Sequence, residues 1–427
     1  MKVLVLGATG LIGSHVLAAL LQRGCEAVGV SRRKPANAQS EWKALDLSAL
    51  TDAEAWLPHL DGIDAVINCV GIIRESRPGD FLRLHQQMPV ALFAACEKAG
   101  VARVVQVSAL GSEPHASTPY WRTKGEADAD LARRRLSATV VRPSLVYGDD
   151  GASSRVFTLM ASLPLAAMPM AHTALVQPIH IDDLSAVLVK LLLSESASPR
   201  ELAAVGPRAM SMAAYIDALR TGMKAPPGLV LPVPSGVARI MARCAELIPG
   251  SALTPDSLRM LEESRGGGNT ADAAPVRVLL GRPLRDPEHF PGPGQKARAV
   301  RGWALPAGRI IIALLWLLTA YASWFGWPHE DSRRWLELCG LPSGWTGPVL
   351  LGASLLDATV GVLVLLGRAW IWPVQIALVL GYTAIMSFCL PEFWMHPFGP
   401  LSKNLPILLL MFMMWRLTGE KRGLPHH

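Results

Sequence analysis

Charge is scarce in this sequence. Asp, Glu, Lys and Arg make up only 18% of 427 residues, against 51% hydrophobic. So small a charged fraction does not suit a chain that is water-soluble throughout. The apolar excess sits mostly in the last third, in runs such as Ile310 to Ala322 and Ile407 to Trp415, and points to a bilayer segment. The six cysteines, Cys25, Cys69, Cys96, Cys244, Cys339 and Cys389, lack metal-ligand spacing. They read as reduced, buried thiols, and no metal site is expected. Internal repeats and haem or flavin motifs are also missing. No signal peptide precedes Lys2-Val3-Leu4-Val5-Leu6, so the front of the chain is expected to start in the cytosol.

What charge there is leans positive, at +7 with a pI near 9.2. The basic residues are scattered or gathered just ahead of the apolar region. They fit a membrane surface better than a nucleic acid, and no nucleic-acid partner is expected.

The length calls for more than one core. Residues 2–6 read as a buried strand, followed by Gly7-Ala8-Thr9-Gly10-Leu11-Ile12-Gly13 and an apolar helix to about Arg23. Further strands are expected at Glu26 to Arg32, Ala65 to Val70 and Val104 to Val107, with helices at Asp80 to Gly100 and Lys124 to Arg135. Strand alternating with helix predicts an α/β, doubly wound parallel sheet. Residues 150–290 are irregular, with a strand at Leu175 to Ile181, a helix at Asp182 to Leu193 and another after Thr254-Pro255-Asp256. They are expected to cap the carboxyl ends of the strands. Arg265 to Thr270 reads as a flexible loop.

Four apolar stretches follow, at about 308–326, 347–367, 369–390 and 403–418, each near the ~20 residues that cross a bilayer. They predict an all-α four-helix transmembrane bundle. The division is 1–290 for the front α/β domain, 291–307 for a linker and 308–427 for the membrane domain. Arg277, Arg282, Arg285, Lys296, Arg298 and Arg301 precede the first stretch, Arg368 lies in the second turn, and Arg416, Lys421 and Arg422 follow the last. Positive flanks inside place both termini and the front domain in the cytosol, on an inner (plasma) membrane. Arg333 and Arg334 in the outer loop run against that rule and are offset by Glu330, Asp331 and Glu337. Asp357 within the second stretch calls for a partner, with Arg309, Lys403 and His396 as candidates.

The glycines carry the first chemistry. Gly7 suits a tight turn, Gly10 a close backbone approach to a pyrophosphate, and Gly13 close packing of helix on strand. With the amides of Thr9, Leu11 and Ile12 they form an anion site at a helix amino terminus, the mark of a dinucleotide binder. Where NAD binders usually place an acid for the ribose, this chain has Ser31-Arg32-Arg33. Arginine there favours a 2′-phosphate, so NADP(H) is preferred and NAD(H) remains possible. Two solvated surface arginines are the plainer reading.

Tyr120 and Lys124 stand one helical turn apart and can project into one cleft. An ammonium beside a phenol favours the phenolate and suits the tyrosine to proton exchange. Ser108, closing the preceding strand, is placed to polarise a substrate carbonyl. On spacing alone this pattern is a common accident.

Taken together the motifs resemble the short-chain dehydrogenase/reductase superfamily, in its extended and atypical branch, over about residues 1–290. The resemblance rests on the glycine run and on Asp46-Leu47, Asn68-Cys69-Val70-Gly71 and Val107-Ser108-Ala109-Leu110-Gly111. It rests equally on Tyr120-Trp121-Arg122-Thr123-Lys124, Arg142-Pro143-Ser144-Leu145-Val146-Tyr147-Gly148 and Gln177-Pro178-Ile179-His180-Ile181-Asp182-Asp183. It implies that Asp46 and Leu47 flank the adenine, and that Val70 and Gly71 line the cofactor cleft. Tyr120 and Lys124 would then be acid/base and ribose anchor, with Pro143 near the nicotinamide. Ser108 to Gly111, with His85 where many members carry Asn, is similar to the accessory subunit of respiratory complex I, a relative regarded as a structural nucleotide binder. The region Trp394 to Pro406 resembles the DoxX-like membrane family, some of whose members associate with quinone or thiol redox systems.

Two functions follow as expectations. One is a membrane-tethered NAD(P)-dependent oxidoreductase or epimerase-like enzyme that passes hydride to or from a carbonyl or alcohol of a hydrophobic substrate. Tyr120, Lys124 and Ser108 would be its catalytic residues. The other is a non-catalytic NAD(P)H-binding accessory or assembly subunit of a quinone-linked membrane system. A bundle that does the redox work itself ranks last, for want of a cofactor motif.

Overall fold

The computed structural model describes residues 1–194, 198–245, 254–264, 269–397 and 399–419. Of the glycine-rich loop only Asn269 and Thr270 are described, and the flanking Lys421 and Arg422 lie outside. Contacts divide the chain into two units, Met1–Ala299 and Val300–His427.

In the first unit seven strands form one parallel sheet: β1 (Lys2–Leu6), β2 (Glu26–Ser31), β3 (Glu41–Ala44), β4 (Ala65–Asn68), β5 (Arg103–Val107), β6 (Ala138–Pro143) and β7 (Glu201–Ala204). Their spatial order is β7-β6-β5-β4-β1-β2-β3. The direction of winding reverses between β1 and β4, which opens a crevice at the carboxyl ends of these strands. Five of its helices pack on this sheet around the crevice: α1 (Leu11–Gln22), α2 (Ala53–Leu60), α3 (Met88–Ala99), α4 (Pro119–Arg133) and α5 (Ile181–Leu193).

The period-two alternation of β1 builds a core on each face of the sheet. Val3 and Val5 pack with Val16 and Leu20 of α1 and Leu184 and Leu188 of α5. Leu4 and Leu6 pack with Trp56 of α2, Phe93 of α3 and Leu131 of α4. Both faces are therefore buried, as a parallel sheet requires.

Three local expectations change. The β3 strand was not foreseen, because Glu41-Trp42-Lys43-Ala44 is neither an apolar run nor an apolar alternation. Helix α4 begins at Pro119 rather than near Lys124: Thr118 caps it, accepting from Trp121 N at 3.4 Å, and proline takes the first turn. The strand expected over Leu175 to Ile181 is two short pieces, Leu175–Val176 and Ile179–His180, which pair with different partners.

The long helix α6 (Gln295–Tyr321) starts within the stretch 291–307 read as a linker. It continues as a π-helical turn to Gly326, 32 residues in all. A short helix α7 (His329–Leu338) precedes α8 (Ser343–Leu365), α9 (Ile371–Cys389) and α10 (Asn404–Gly419). Among the described residues three helices are long and apolar enough to cross a membrane, those over 295–326, 343–365 and 371–389. The fourth expected crossing corresponds to α10, which has 16 residues. At 1.5 Å per residue that is about 24 Å, short of the ~30 Å hydrocarbon core. Asp357 on α8, 5% exposed, faces Tyr382 of α9, whose hydroxyl donates to Oδ1 at 3.5 Å. The partner is a neutral phenol from the next helix, where the sequence pointed to a cation.

Candidate functional site

At the end of β1 the chain turns at Gly7, whose φ of +69° suits glycine. A Cβ on Gly7 would stand 3.1 Å from the Cys69 carbonyl and 3.2 Å from Val70 N, so the first turn lies directly against the end of β4. A Cβ on Gly13 would come within 2.3 Å of the Gly7 carbonyl oxygen, which is the close helix-to-turn packing expected of the third glycine. Gly10 occupies the N-cap position of α1, where no side chain caps the helix and the first turn holds no acid. Thr9 and Gly10 are exposed and Leu11 and Ile12 half-buried. The arrangement fits an anion: the helix amino terminus stands free of competing carboxylates, on a turn that a side chain at Gly7 or Gly13 would displace. Leu11 itself packs between Gly148 and Gly151.

At the end of β2 the hydroxyl of Ser31 is engaged within the protein. It donates to the Arg33 carbonyl at 2.7 Å and accepts from the Trp42 indole at 3.2 Å. Arg32 and Arg33 are exposed. Asp46 caps the turn Leu47–Ala49, taking both Ser48 N at 3.1 Å and Ser48 Oγ at 2.7 Å. Those two bonds hold its carboxyl below the ordinary range. Leu47 is buried in the core beneath the sheet.

The β4 end is held from below and above. Asn68 and Gln106 bond each other at 2.8 Å, both buried, and Asn68 Oδ1 accepts from Val70 N at 3.1 Å. His85, 1% exposed, accepts from Ile72 N through Nε2 at 3.1 Å. Its ring stacks on Phe81 at 5.3 Å and meets Tyr120 edge-to-face at 5.4 Å. Burial, helped by Lys124, pushes the imidazole down to about 2, so it is neutral.

Lys124 is 3% exposed and donates to the Val107 carbonyl at 3.2 Å. Its ammonium lies 5.9 Å from the centre of the Tyr120 ring and 3.7 Å from where a Gly71 Cβ would be. The ends of β4, β5 and α4 therefore converge on one ammonium. Burial lowers this lysine to about 8, against the pull of Asp128. Burial likewise raises the Tyr120 phenol to about 12 and the neighbouring Cys69 thiol to about 12.

Ser108 points elsewhere than expected. It donates to Asp128 Oδ2 at 2.6 Å, so its hydrogen goes to a buried carboxylate and not to the cleft. Asp128 is 2% exposed, and burial raises it to about 6. Arg142 Nε stands 3.5 Å from the same oxygen, and Arg142 also pairs with Glu201 at 3.0 Å. Asp128 was missed in the sequence, although Tyr120, Lys124 and Asp128 repeat every four residues on one helix face. Pro143 closes β6, buried, with its carbonyl taken by Leu110 N at 2.9 Å. Among the described residues no group of His, Cys, Asp and Glu is arranged to hold a metal.

The motif around His180 proves structural. His180 Nε2 lies 3.1 Å from Arg285, Arg285 N donates to Asp183 at 2.8 Å, and Asp182 pairs with Arg285 at 3.0 Å. These contacts bind the segment after residue 280 to the start of α5.

Residues 3–205 match the family model of the NAD dependent epimerase/dehydratase family, and residues 313–412 that of the DoxX-like family. A ceramide reductase of Caulobacter vibrioides is 30% identical over 192 residues, 44% of this chain and 59% of that protein. Mitochondrial NADH dehydrogenase [ubiquinone] 1 alpha subcomplex subunit 9 of Mus musculus is 26% identical over 211 residues, 48% of this chain and 56% of that protein. The chain thus spans somewhat more than half the length of each. Among solved structures MoeE5, in complex with UDP-glucuronic acid and NAD, superposes with a TM-score of 0.51 at 22% identity, over 71% of this chain and 100% of that one. That likeness is one of fold.

Proposed function

Because the chain belongs through residues 3–205 to the NAD dependent epimerase/dehydratase family and through residues 313–412 to the DoxX-like family, we propose that it is a membrane-tethered, NADP(H)-preferring oxidoreductase acting on a hydrophobic carbonyl or alcohol. The observation that carries the proposal is the placement of the Lys124 ammonium among Gly71, the Val107 carbonyl and the Tyr120 ring, beside the glycine turn. A nicotinamide, when bound, supplies or takes up the hydride.

The protein's own groups do the rest. The amides after Gly10 hold the diphosphate, and the exposed Arg32 and Arg33 take a 2′-phosphate. Tyr120 Oη gives a proton to the substrate oxygen during reduction and takes it back during oxidation. Charged Lys124 stabilises the phenolate that forms. Ser108 acts through Asp128 and holds the carboxylate that keeps Lys124 charged. The likeness to a ceramide reductase supports a lipid-like substrate, and the basic flanks support a cytosolic face for the first unit.

The test uses the full-length protein in detergent or nanodiscs with NADPH and a panel of long-chain ketones and aldehydes. Tyr120→Phe is expected to lower turnover by about 10²–10⁴ while leaving coenzyme affinity within a few-fold. Equal turnover by both proteins defeats the assignment.

The likeness to the mouse NADH dehydrogenase subunit favours a second reading, a nucleotide-binding accessory subunit. It expects coenzyme that co-purifies stoichiometrically, is not consumed with any acceptor, and raises stability by about 2.7 kcal/mol at 100-fold its Kd.

A further inference from the structure

One face of the first unit inverts the usual order of an amphipathic helix. In the helix Ser235–Ala245 the buried residues are Ala238 and Ala242, whereas Val237, Ile240 and Met241 are 49%, 65% and 45% exposed. These three, with the exposed Cys244, stand at i, i+3, i+4 and i+7 and form a single outward stripe. A helix whose burial served only the core would turn this stripe inward. Arg239 and Arg243 flank the stripe, one turn apart, and the helix contains no acid. Arg239 lies near Glu262 at 3.4 Å, a pair on the surface.

The strand just before the helix extends the same property. Leu229–Val233 pairs in parallel with Leu165–Pro169, with Leu229 opposite Leu165 and Leu231 opposite Ala167. Adjacent partners share a face, and Leu165, Leu229 and Leu231 are 53%, 67% and 46% exposed. Six large apolar side chains, on two paired strands and the helix that follows the second, are therefore in water, with arginines on the helix. An isolated exposed leucine needs no explanation, but paired leucines across two strands and an apolar stripe on the helix that follows them mark an interaction surface.

We propose that this strand and helix form a membrane-docking surface that lies in the interface of an anionic bilayer. The occupant follows from two observations. Apolar side chains bordered along one side by two arginines, with no acid in the helix, match an acyl boundary beneath anionic headgroups. The chain also carries three helices able to cross a bilayer, so a membrane is within reach of the first unit by covalent connection alone. The proposal rests on the preceding one and deepens it, since docking would hold the first unit against the lipid from which a hydrophobic substrate arrives.

The test uses the full chain reconstituted in vesicles of phosphatidylcholine with or without phosphatidylglycerol. An environment-sensitive fluorophore is placed at Ile240→Cys in a Cys244→Ser background, or for comparison at Val278→Cys, a site 82% exposed in the same unit. Lipids carrying nitroxides then report depth. Docking predicts a blue-shifted, strongly quenched probe at 240 in vesicles with phosphatidylglycerol, and a water-exposed, weakly quenched probe at 278. Arg239→Gln with Arg243→Gln is expected to lower the docked-to-undocked ratio on the order of 30-fold, from about 1 kcal/mol for each arginine near an anionic surface. A probe at 240 as exposed in vesicles as in detergent overturns the proposal. So does shielding that appears in detergent and grows with protein concentration, which would mean a second copy covers the face. NADPH affinity measured on the same vesicles keeps the two readings apart: docking can fail while coenzyme binds normally, and binding can fail while the cap docks.

Discussion

The Ser108 hydroxyl donates to Asp128 Oδ2 at 2.6 Å, joining the residue that follows β5 to a carboxylate buried one turn beyond Lys124. The pairing changes the role expected of Ser108, because a hydroxyl whose hydrogen is already given to a carboxylate cannot also donate it to a substrate oxygen. It also identifies Asp128 as the counter-charge of the site. Asp128→Asn can keep the hydrogen bond but loses the charge that raises Lys124. The pH at which coenzyme affinity breaks is therefore expected to move below about 8. Asp128→Ala loses the bond as well, with a further cost of about 1.5–3 kcal/mol in thermal or denaturant unfolding. An unchanged pH profile in Asp128→Asn would remove Asp128 from the site.

Coenzyme binding is expected to depend on pH through Lys124 itself. The lysine sits at about 8 because burial disfavours its charge. Below that pH the ammonium is present and the affinity for NADPH is level. Above it the charge is lost, and the Kd is expected to rise by up to about tenfold per pH unit if the charged form alone binds. Lys124→Met is expected to bind weakly and without this break. Titration of NADPH fluorescence between pH 6 and 10 measures both.

The buried imidazole of His85 predicts acid sensitivity. Its folded value of about 2 lies below the ordinary 6.5, so the unfolded chain binds the proton first as pH falls. Stability is whole above about 6.5 and is lost as pH drops toward 2, by about 2 kcal/mol at pH 5. Asp128 acts in the opposite sense between about 4 and 6, because its carboxyl is raised. His85→Asn is therefore expected to show a smaller loss of stability between pH 7 and 5 than the parent protein, in chemical denaturation at each pH.

Coenzyme choice rests on the exposed pair after β2. Arg32→Ala with Arg33→Ala is expected to weaken NADPH by tenfold to a hundredfold and to leave NADH within a few-fold, on the scale of a charge-assisted hydrogen bond of about 1.5–3 kcal/mol. Equal losses for both coenzymes would point to a general electrostatic effect and against a 2′-phosphate contact.

Gly13→Ala tests the cradle. The new methyl on α1 would stand 2.3 Å from the Gly7 carbonyl oxygen, which belongs to a turn pinned against the end of β4. Overpacking of this kind costs about 1–3 kcal/mol, and the displaced turn is expected to bind NADPH at least tenfold more weakly. Gly236→Ala, where a Cβ meets nothing within 4 Å, serves as the neutral control.

Much of the chain was legible without coordinates, where the signal is local. Alternating valine and leucine in β1, the glycine turn and the apolar lengths of α8 and α9 each follow from periodicity and steric rules over a few residues. They led directly to a doubly wound sheet followed by apolar helices. The Tyr120 to Lys124 spacing was visible for the same reason, since one helical turn is a local geometry.

Other features depend on which elements meet, and no local rule states that. Asp128 became part of the site because β5 brings Ser108 and β6 brings Arg142 to the same carboxylate. The partner of Asp357 proved to be Tyr382, 25 residues away on the neighbouring helix, where charge alone had pointed to a cation. The outward face of Val237, Ile240 and Met241 was hidden for a related reason. A sequence shows that a helix has an apolar stripe, but only packing decides whether that stripe or the alanines opposite are turned to the core, because both placements satisfy the same helical period.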